Sequence, residues 1–302
     1  MKLKVLFPVF LFFSISFALP IRFITHWYPE VEHGGFYTAL VNHYYKSINL
    51  DLTIIKGGPG INNIYLTLNG YGDITLGNSF DVLRIIKEDL PLVPVGSFFQ
   101  KSPQVLMTHP STSVDFKSGK RFDFTSKPFG EKTWVALLKD KLPINKITYT
   151  KYLYSLLNHH EVMAEGYITS EPYVLKRAWG YEPKIILLDD LGYDLYDNII
   201  LVNKNFYDKH QKQVKDFLEA SLRGWKEFEK NPEPAMKAIL KENSEMTKDR
   251  ILYGLNALKS YSIINPTYKM MPSRWNHFYD LCEKSGAYTY LDPKKRYLGT
   301  TP

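Results

Sequence analysis

The 302-residue chain has a single cysteine, Cys282. One thiol excludes an intramolecular disulfide framework and a thiolate zinc cluster, leaving Cys282 as a small buried hydrophobe. No apolar run reaches the ~20 residues needed to cross a bilayer, so a polytopic membrane protein is excluded. There is no Gly-x-Ser-x-Gly elbow and no His-Glu-x-x-His. His160-Glu161 is followed at the required position by Ala164, and the adjacent His159 and His160 point apart on a helix. Gly57-Gly58-Pro59-Gly60 lacks the trailing Gly-Lys-Ser/Thr of a nucleotide-hydrolysing loop. Asp189-Asp190 are neighbours that point apart, unlike a hydrolase carboxylate pair. No enzyme motif, cofactor motif or metal-ligand set survives. Excess charge is small, at +7, and the densest basic run is Lys294-Lys295-Arg296 near the end, so a nucleic-acid module is not indicated.

What the chain does have is aromatic material, with 22 Tyr, 18 Phe and 5 Trp, enough for cores and for a cleft that accepts a flat ligand. It also opens on an export pattern. Lys2 and Lys4 precede an apolar run over residues 5–13, and Ser16-Phe17-Ala18 places small residues at −3 and −1 of a cleavage site. Residues 1–18 therefore read as a signal peptide, with no lipid anchor and a mature chain from Leu19 in the periplasm. Cleavage removes two lysines and no acid, which lowers the net charge from +7 to +5.

Periodicity divides the rest. Short apolar runs over 21–25, 50–55, 73–76 and 92–95 alternate with helix-length segments over 36–46, 61–68 and 80–87. Gly34-Gly35, Gly57-Gly58-Pro59 and Gly70 mark the joins. Such alternation predicts βαβ units and a mainly parallel sheet. Strands over 120–124, 147–149, 167–169 and 185–188, with helices over 132–139, 152–163 and 172–179, predict a second, smaller α/β unit inserted in the first. The C-terminal third reads as helical. Val214, Phe217, Leu218, Ser221, Leu222 and Trp225 form one stripe, Thr247 caps the next helix, and Gly286 stops the last.

Several segments, in collinear order, resemble one family. They are Trp27-Tyr28-Pro29 with Glu32-His33-Gly34-Gly35-Phe36-Tyr37, Lys56-Gly57-Gly58-Pro59, and Gly70-Tyr71-Gly72-Asp73. Phe99-Gln100-Lys101-Ser102-Pro103 follows, then Gly166-Tyr167-Ile168-Thr169-Ser170-Glu171-Pro172-Tyr173, Gly192-Tyr193-Asp194-Leu195-Tyr196 and Ala220-Ser221-Leu222-Arg223-Gly224-Trp225. The set resembles the periplasmic solute-binding proteins of ABC importers for taurine, alkanesulfonates and thiamine pyrimidine precursors. Fungal pyrimidine-precursor synthases share that fold but carry a cysteine-rich motif that is absent here. The resemblance implies a type II periplasmic-binding-protein fold of class α/β. Each lobe is a mainly parallel sheet flanked by helices, and two crossover strands form the hinge near Gln104–Thr108 and over 198–203. Lobe one is expected over 19–107 and 200–302, and lobe two over 108–199.

Ligands of open α/β sheets lie beyond the carboxyl ends of the strands. Trp27, Gly57, Gly58, Asn78 and Ser79 fall there in the strand assignment. The resemblance adds His33, Tyr37, Glu171 and Tyr196 as cleft residues. Aromatic faces with a carboxylate suit an aminopyrimidine better than a sulfonate, which needs cations or several donors around its oxygens. Trp27 reads equally as a core aromatic, and Glu171 equally as a helix N-terminal charge beside Pro172. The expected function is capture of a thiamine-related pyrimidine and delivery to a permease and ATPase, by a monomer without enzyme activity, nucleic-acid contact or membrane contact of its own. A sulfonate binder or a non-transporting sensor of the same fold is the alternative. N-terminal sequencing of exported protein is expected to start at Leu19; retention of Met1–Ala18 would contradict the export reading.

Overall fold

The computed structural model describes residues 18–126, 137–138, 141–149, 161–265, 267–286 and 297. Residues 1–17 of the expected export segment, His159, His160 and Lys294-Lys295-Arg296 lie outside the described residues. So does most of the helices expected over 132–139 and 152–163.

The chain begins β1 (Leu19–Ile24), α1 (Gly34–Val41), β2 (Leu50–Ile55), α2 (Asn63–Leu68), β3 (Ile74–Gly77), α3 (Ser79–Glu88) and β4 (Leu92–Phe99). It then crosses into β5 (Gln104–Thr108), β6 (Phe122–Ser126), β7 (Ile144–Tyr149), β8 (Val162–Tyr167), α4 (Glu171–Trp179) and β9 (Lys184–Leu187). It returns through β10 (Asp197–Asn203) to α5 (Lys204–Phe228), α6 (Glu233–Glu242), α7 (Lys248–Ser260) and α8 (Pro272–Ser285).

Two five-stranded sheets result, ordered β2-β1-β3-β10-β4 and β7-β6-β8-β5-β9. β1 runs parallel to β2 and β3, and β6 parallel to β7 and β8. The antiparallel member of each sheet is the strand delivered by a crossing: β10 between β3 and β4, and β5 between β8 and β9. The two-lobe α/β architecture with mainly parallel sheets is thus present. The division expected at 107/108 and 199/200 cuts through β5 and β10, because an apolar crossing strand reads alike whichever sheet it joins. Sheet membership moves the changeovers to residues 100–103 and 188–196.

Local chemistry sets the element ends. Asn78 accepts from the amides of Phe80 and Asp81 at 2.9 and 3.2 Å, and its own amide donates to Asp81 Oδ2 at 3.0 Å, a capping box that starts α3. Thr247 caps α7 by accepting from the Arg250 amide at 3.2 Å, and Gly286 ends α8 at φ 66°. Cys282 is buried on α8, and burial pushes its thiol up to about 12.

Two expectations shift. The helix expected over 36–46 stops at Val41, and His43 turns the chain at φ 58°. β8 occupies Val162–Tyr167, so of the strand expected over 167–169 only Tyr167 is strand, Ile168 and Thr169 belong to the turn into α4, and Val162 and Met163 leave the expected helix. Met163, Ala164 and Glu165 favour helix intrinsically, but burial between β5 and β6 overrides that preference.

The first lobe's core centres on α1 against α5. Phe36 packs on Phe217 and Trp225, with ring centroids at 6.3 and 5.9 Å. The helices touch at their glycines. A Cβ on Gly224 would overlap the Gly35 carbonyl oxygen, and one on Gly35 would overlap the Trp225 ring. Gly224→Ala is therefore expected to destabilise the protein by about 1 kcal/mol net in urea titration, overpacking of about 1–3 kcal/mol outweighing a helix-propensity gain of about 1 kcal/mol. An unchanged midpoint would show that the helices can separate freely.

Candidate ligand-binding site

The carboxyl ends of β1, β2 and β3 converge, and a cavity of about 510 Å³ opens beyond them. Lobe one supplies His26, the loop Gly60–Ile61–Asn62–Asn63, Asn78, Asp81 and Arg84. Tyr167 enters from the end of β8, and Asp197 and Asn198 from the start of β10. Because β10 runs antiparallel, its first residues lie level with the last residues of β3, as the Ile199–Gly77 pairing shows.

The loop after β2 is held against β1. Gly57 donates its amide to Thr25 Oγ1 at 3.0 Å, Thr25 donates to the Trp27 carbonyl at 2.7 Å, and a Cβ at Gly57 would overlap the Thr25 carbonyl oxygen. Glycine is required there by close approach. Asn63 then fastens the start of α2 to β3, donating to Thr75 Oγ1 at 2.8 Å and to the Leu76 carbonyl at 2.7 Å.

Asp197 dominates the electrostatics. Its carboxylate accepts from the Asn198 amide at 2.9 Å and the Ser102 hydroxyl at 3.3 Å, yet burial pushes it up to about 7, with Asp81 and Glu32 adding repulsion. Burial also raises the Asp81 carboxyl. His26 is pushed down to about 4 by burial, so its imidazole is neutral at pH 7, and its buried Nδ1 has no hydrogen-bond partner. Burial keeps the Tyr167 phenol protonated, with Asp197 nearby adding to the effect. The cavity thus presents a carboxyl that titrates near neutrality, a neutral imidazole, a phenol and side-chain amides, with Arg84 as the cation of its lining. That set matches a small neutral ligand carrying both donors and acceptors.

Of the residues expected at the ligand, Asn78 lines this cavity. Gly57 and Gly58 begin the loop whose continuation lines it. Ser79 lies behind Asn78, its hydroxyl donating to the Tyr196 carbonyl at 3.0 Å and accepting from the Tyr196 amide at 3.1 Å. Tyr196 itself is buried away from the cavity. Its hydroxyl accepts from the Met271 amide at 2.7 Å, and the Arg274 guanidinium lies 4.0 Å from the ring centroid. Tyr37 is a core residue whose hydroxyl reaches across to Glu242 Oε2 at 2.8 Å, tying α1 to α6. His33 sits one layer behind the cavity wall, fully buried, with its ring centroid 5.2 Å from that of His26. Glu171 is drawn into its own turn, where Oε2 accepts from the Tyr167 amide at 2.7 Å. Trp27 is 42% exposed, against Tyr28, and lies outside the cavity lining. For Tyr37, Tyr196 and Glu171 the reason is common: each polar tip is consumed by a neighbour in the fold.

The sequence reading missed His26, Asp81, Arg84, Tyr167, Asp197 and Asn198. Each lies within five residues of an expected position.

Among known proteins, the family description "NMT1/THI5 like" matches residues 30–235. A formylaminopyrimidine-binding protein of Halalkalibacterium halodurans is 23% identical over 229 residues, covering 72% of this chain and 69% of that protein. The fold is that of the periplasmic aliphatic sulphonate binding protein SsuA of Escherichia coli, at TM-score 0.70 and 12% identity over 94% of this chain and 93% of the other. It is also that of the ligand-binding component of an ABC-type import system from Staphylococcus aureus, at TM-score 0.65 and 11% identity over 94% and 100%. The match over residues 30–235 spans both crossings and every strand of the two sheets except β1. The chain belongs to the NMT1/THI5-like family.

Proposed function

We propose that this protein is the extracytoplasmic solute-binding component of an ABC importer, and that it carries a small neutral aminopyrimidine between its lobes. Residues 18–99 with 197–286 form one lobe in this reading, and residues 104–187 the other. One relative is a formylaminopyrimidine-binding protein, and the fold is shared with the ligand-binding component of an ABC-type import system. No helix among the described residues is long and apolar enough to cross a membrane. The ligand-binding role is binding alone, without turnover.

Asp197 is the observation that carries the ligand class. A half-buried carboxyl on the cavity wall, held up at about 7, ionises readily when an exocyclic amine supplies the donors that water would have given. The neutral imidazole of His26 and the amides of the lining then meet ring nitrogens and a formyl or hydroxyl substituent. A sulfonate would place fixed negative charge beside Asp81 and Asp197, with Arg84 alone to offset it. A thiamine-related pyrimidine, exported-protein localisation, monomeric state and service to a permease and ATPase complete the reading. Stacking on Trp27 and bonding to Glu171 are not part of it.

The sign of the pH dependence follows from the donor. An amine binds the ionised carboxylate, so complex formation holds the Asp197 pKa below about 7 and releases a proton near neutrality. Affinity for a formylaminopyrimidine, measured by calorimetry, is expected to fall as pH is lowered from 8 to 6. Asp197→Asn is expected to weaken binding at least tenfold at pH 8, since a charged hydrogen bond contributes about 1.5–3 kcal/mol, and to flatten the pH dependence. Wild-type affinity in Asp197→Asn, or tighter binding of taurine than of the pyrimidine, would overturn the ligand class.

A further inference from the structure

The two lobes also meet away from the cavity, along one edge of the cleft. The turn between β8 and α4, from lobe two, enters a socket in lobe one made by the single helical turn Val31–His33 and by α7. There the Thr169 hydroxyl donates to Glu32 Oε1, both groups fully or almost fully buried. The adjacent Ser170 Oγ accepts from the Arg250 guanidinium at 2.6 Å. Tyr173 and Tyr253 close the outer side, with ring centroids 5.5 Å apart. Glu32 is held from behind by Asn198, whose side-chain amide donates to the Glu32 carbonyl at 3.1 Å.

Space at this seam is tight. A Cβ on Gly254 of α7 would lie 2.6 Å from Val31 Cγ1 and 3.0 Å from the Thr169 carbonyl oxygen, so the glycine admits the turn. Thr169, Ser170, Glu32 and Arg250 are absent from the cavity lining. Burying the Glu32 carboxyl is costly, and burial raises its pKa; the Thr169 hydroxyl offsets part of that cost only when the lobes are together.

We propose that this seam is an interlobe latch: Thr169 with Glu32 and Ser170 with Arg250 stabilise the closed arrangement of the lobes and thereby set ligand affinity from outside the ligand site. These are positioning residues. A contact made only in the closed state raises the population competent to hold ligand, and the apparent dissociation constant scales inversely with that population. The proposal rests on the two-lobe carrier reading but not on the identity of the ligand.

The test therefore has an arm that needs no ligand. Small-angle scattering of the ligand-free protein is expected to give a larger radius of gyration for Thr169→Val than for wild type, with Thr169→Ser restoring it. Ser170→Ala, on the less buried side of the seam, is expected to act in the same direction and serves alone should Thr169→Val fail to fold. With a formylaminopyrimidine as probe, Thr169→Val is expected to weaken binding about tenfold by faster dissociation. Wild-type radii of gyration in both Thr169→Val and Ser170→Ala would overturn the latch. Failure of the wild type to bind the pyrimidine, with the scattering differences intact, would overturn the ligand class and leave the latch standing.

Discussion

The structure depends on the place where the chain's second passage between lobes closes back on its first. Asp197 opens β10 and pairs with Phe99 at the end of β4. Its carbonyl accepts from Ser97 at 2.6 Å, and its carboxyl accepts from Ser102 in the connection to β5. One residue therefore binds both crossings together and faces the cavity. Each sheet receives its antiparallel strand from a crossing, and β10 carries its first residues to the carboxyl ends of the first lobe's parallel strands. In the proposed reading, a ligand held by Asp197 would contact the hinge itself and so join solute capture to lobe movement.

Much of the fold was legible because it rests on periodicity and on caps. The strands over 50–55 and 185–188, the capped start of α7 and the stripe from Val214 to Trp225 needed only alternation, a threonine and a 3.6-residue repeat. The inserted second unit followed from the same alternation. What failed locally was decided by tertiary burial. Val162 and Met163 look helical in sequence, and only the neighbours β5 and β6 make them a strand. The segments that carry the family resemblance have physical roles of different kinds. Gly34-Gly35 and Gly224-Trp225 are the two faces of one helix contact, Gly57 lets a loop lie against β1, and Thr169-Ser170 enters the seam between lobes.

The site was less legible for the same reason. A tyrosine or a glutamate in a motif near a strand end is a cleft residue only if its polar tip is left unused, and no sequence pattern shows that. Tyr37 spends its hydroxyl on Glu242, Tyr196 on the Met271 amide, and Glu171 accepts from the Tyr167 amide. The groups that face the cavity are their neighbours: His26 before Trp27, Tyr167 before Glu171, and Asp197 after Tyr196. Asn78 combines two tasks, capping α3 at the strand end where the cavity begins.

In the proposed function Asp197, at the hinge, receives the ligand, and a crystal structure of the protein with a formylaminopyrimidine is the decisive test. The exocyclic amine is expected within hydrogen-bonding distance, ~3 Å, of the Asp197 carboxylate, with a ring nitrogen or substituent directed at His26. A pyrimidine seated against Trp27 and Glu171, with Asp197 bonded only to Ser102 and Asn198, would contradict it.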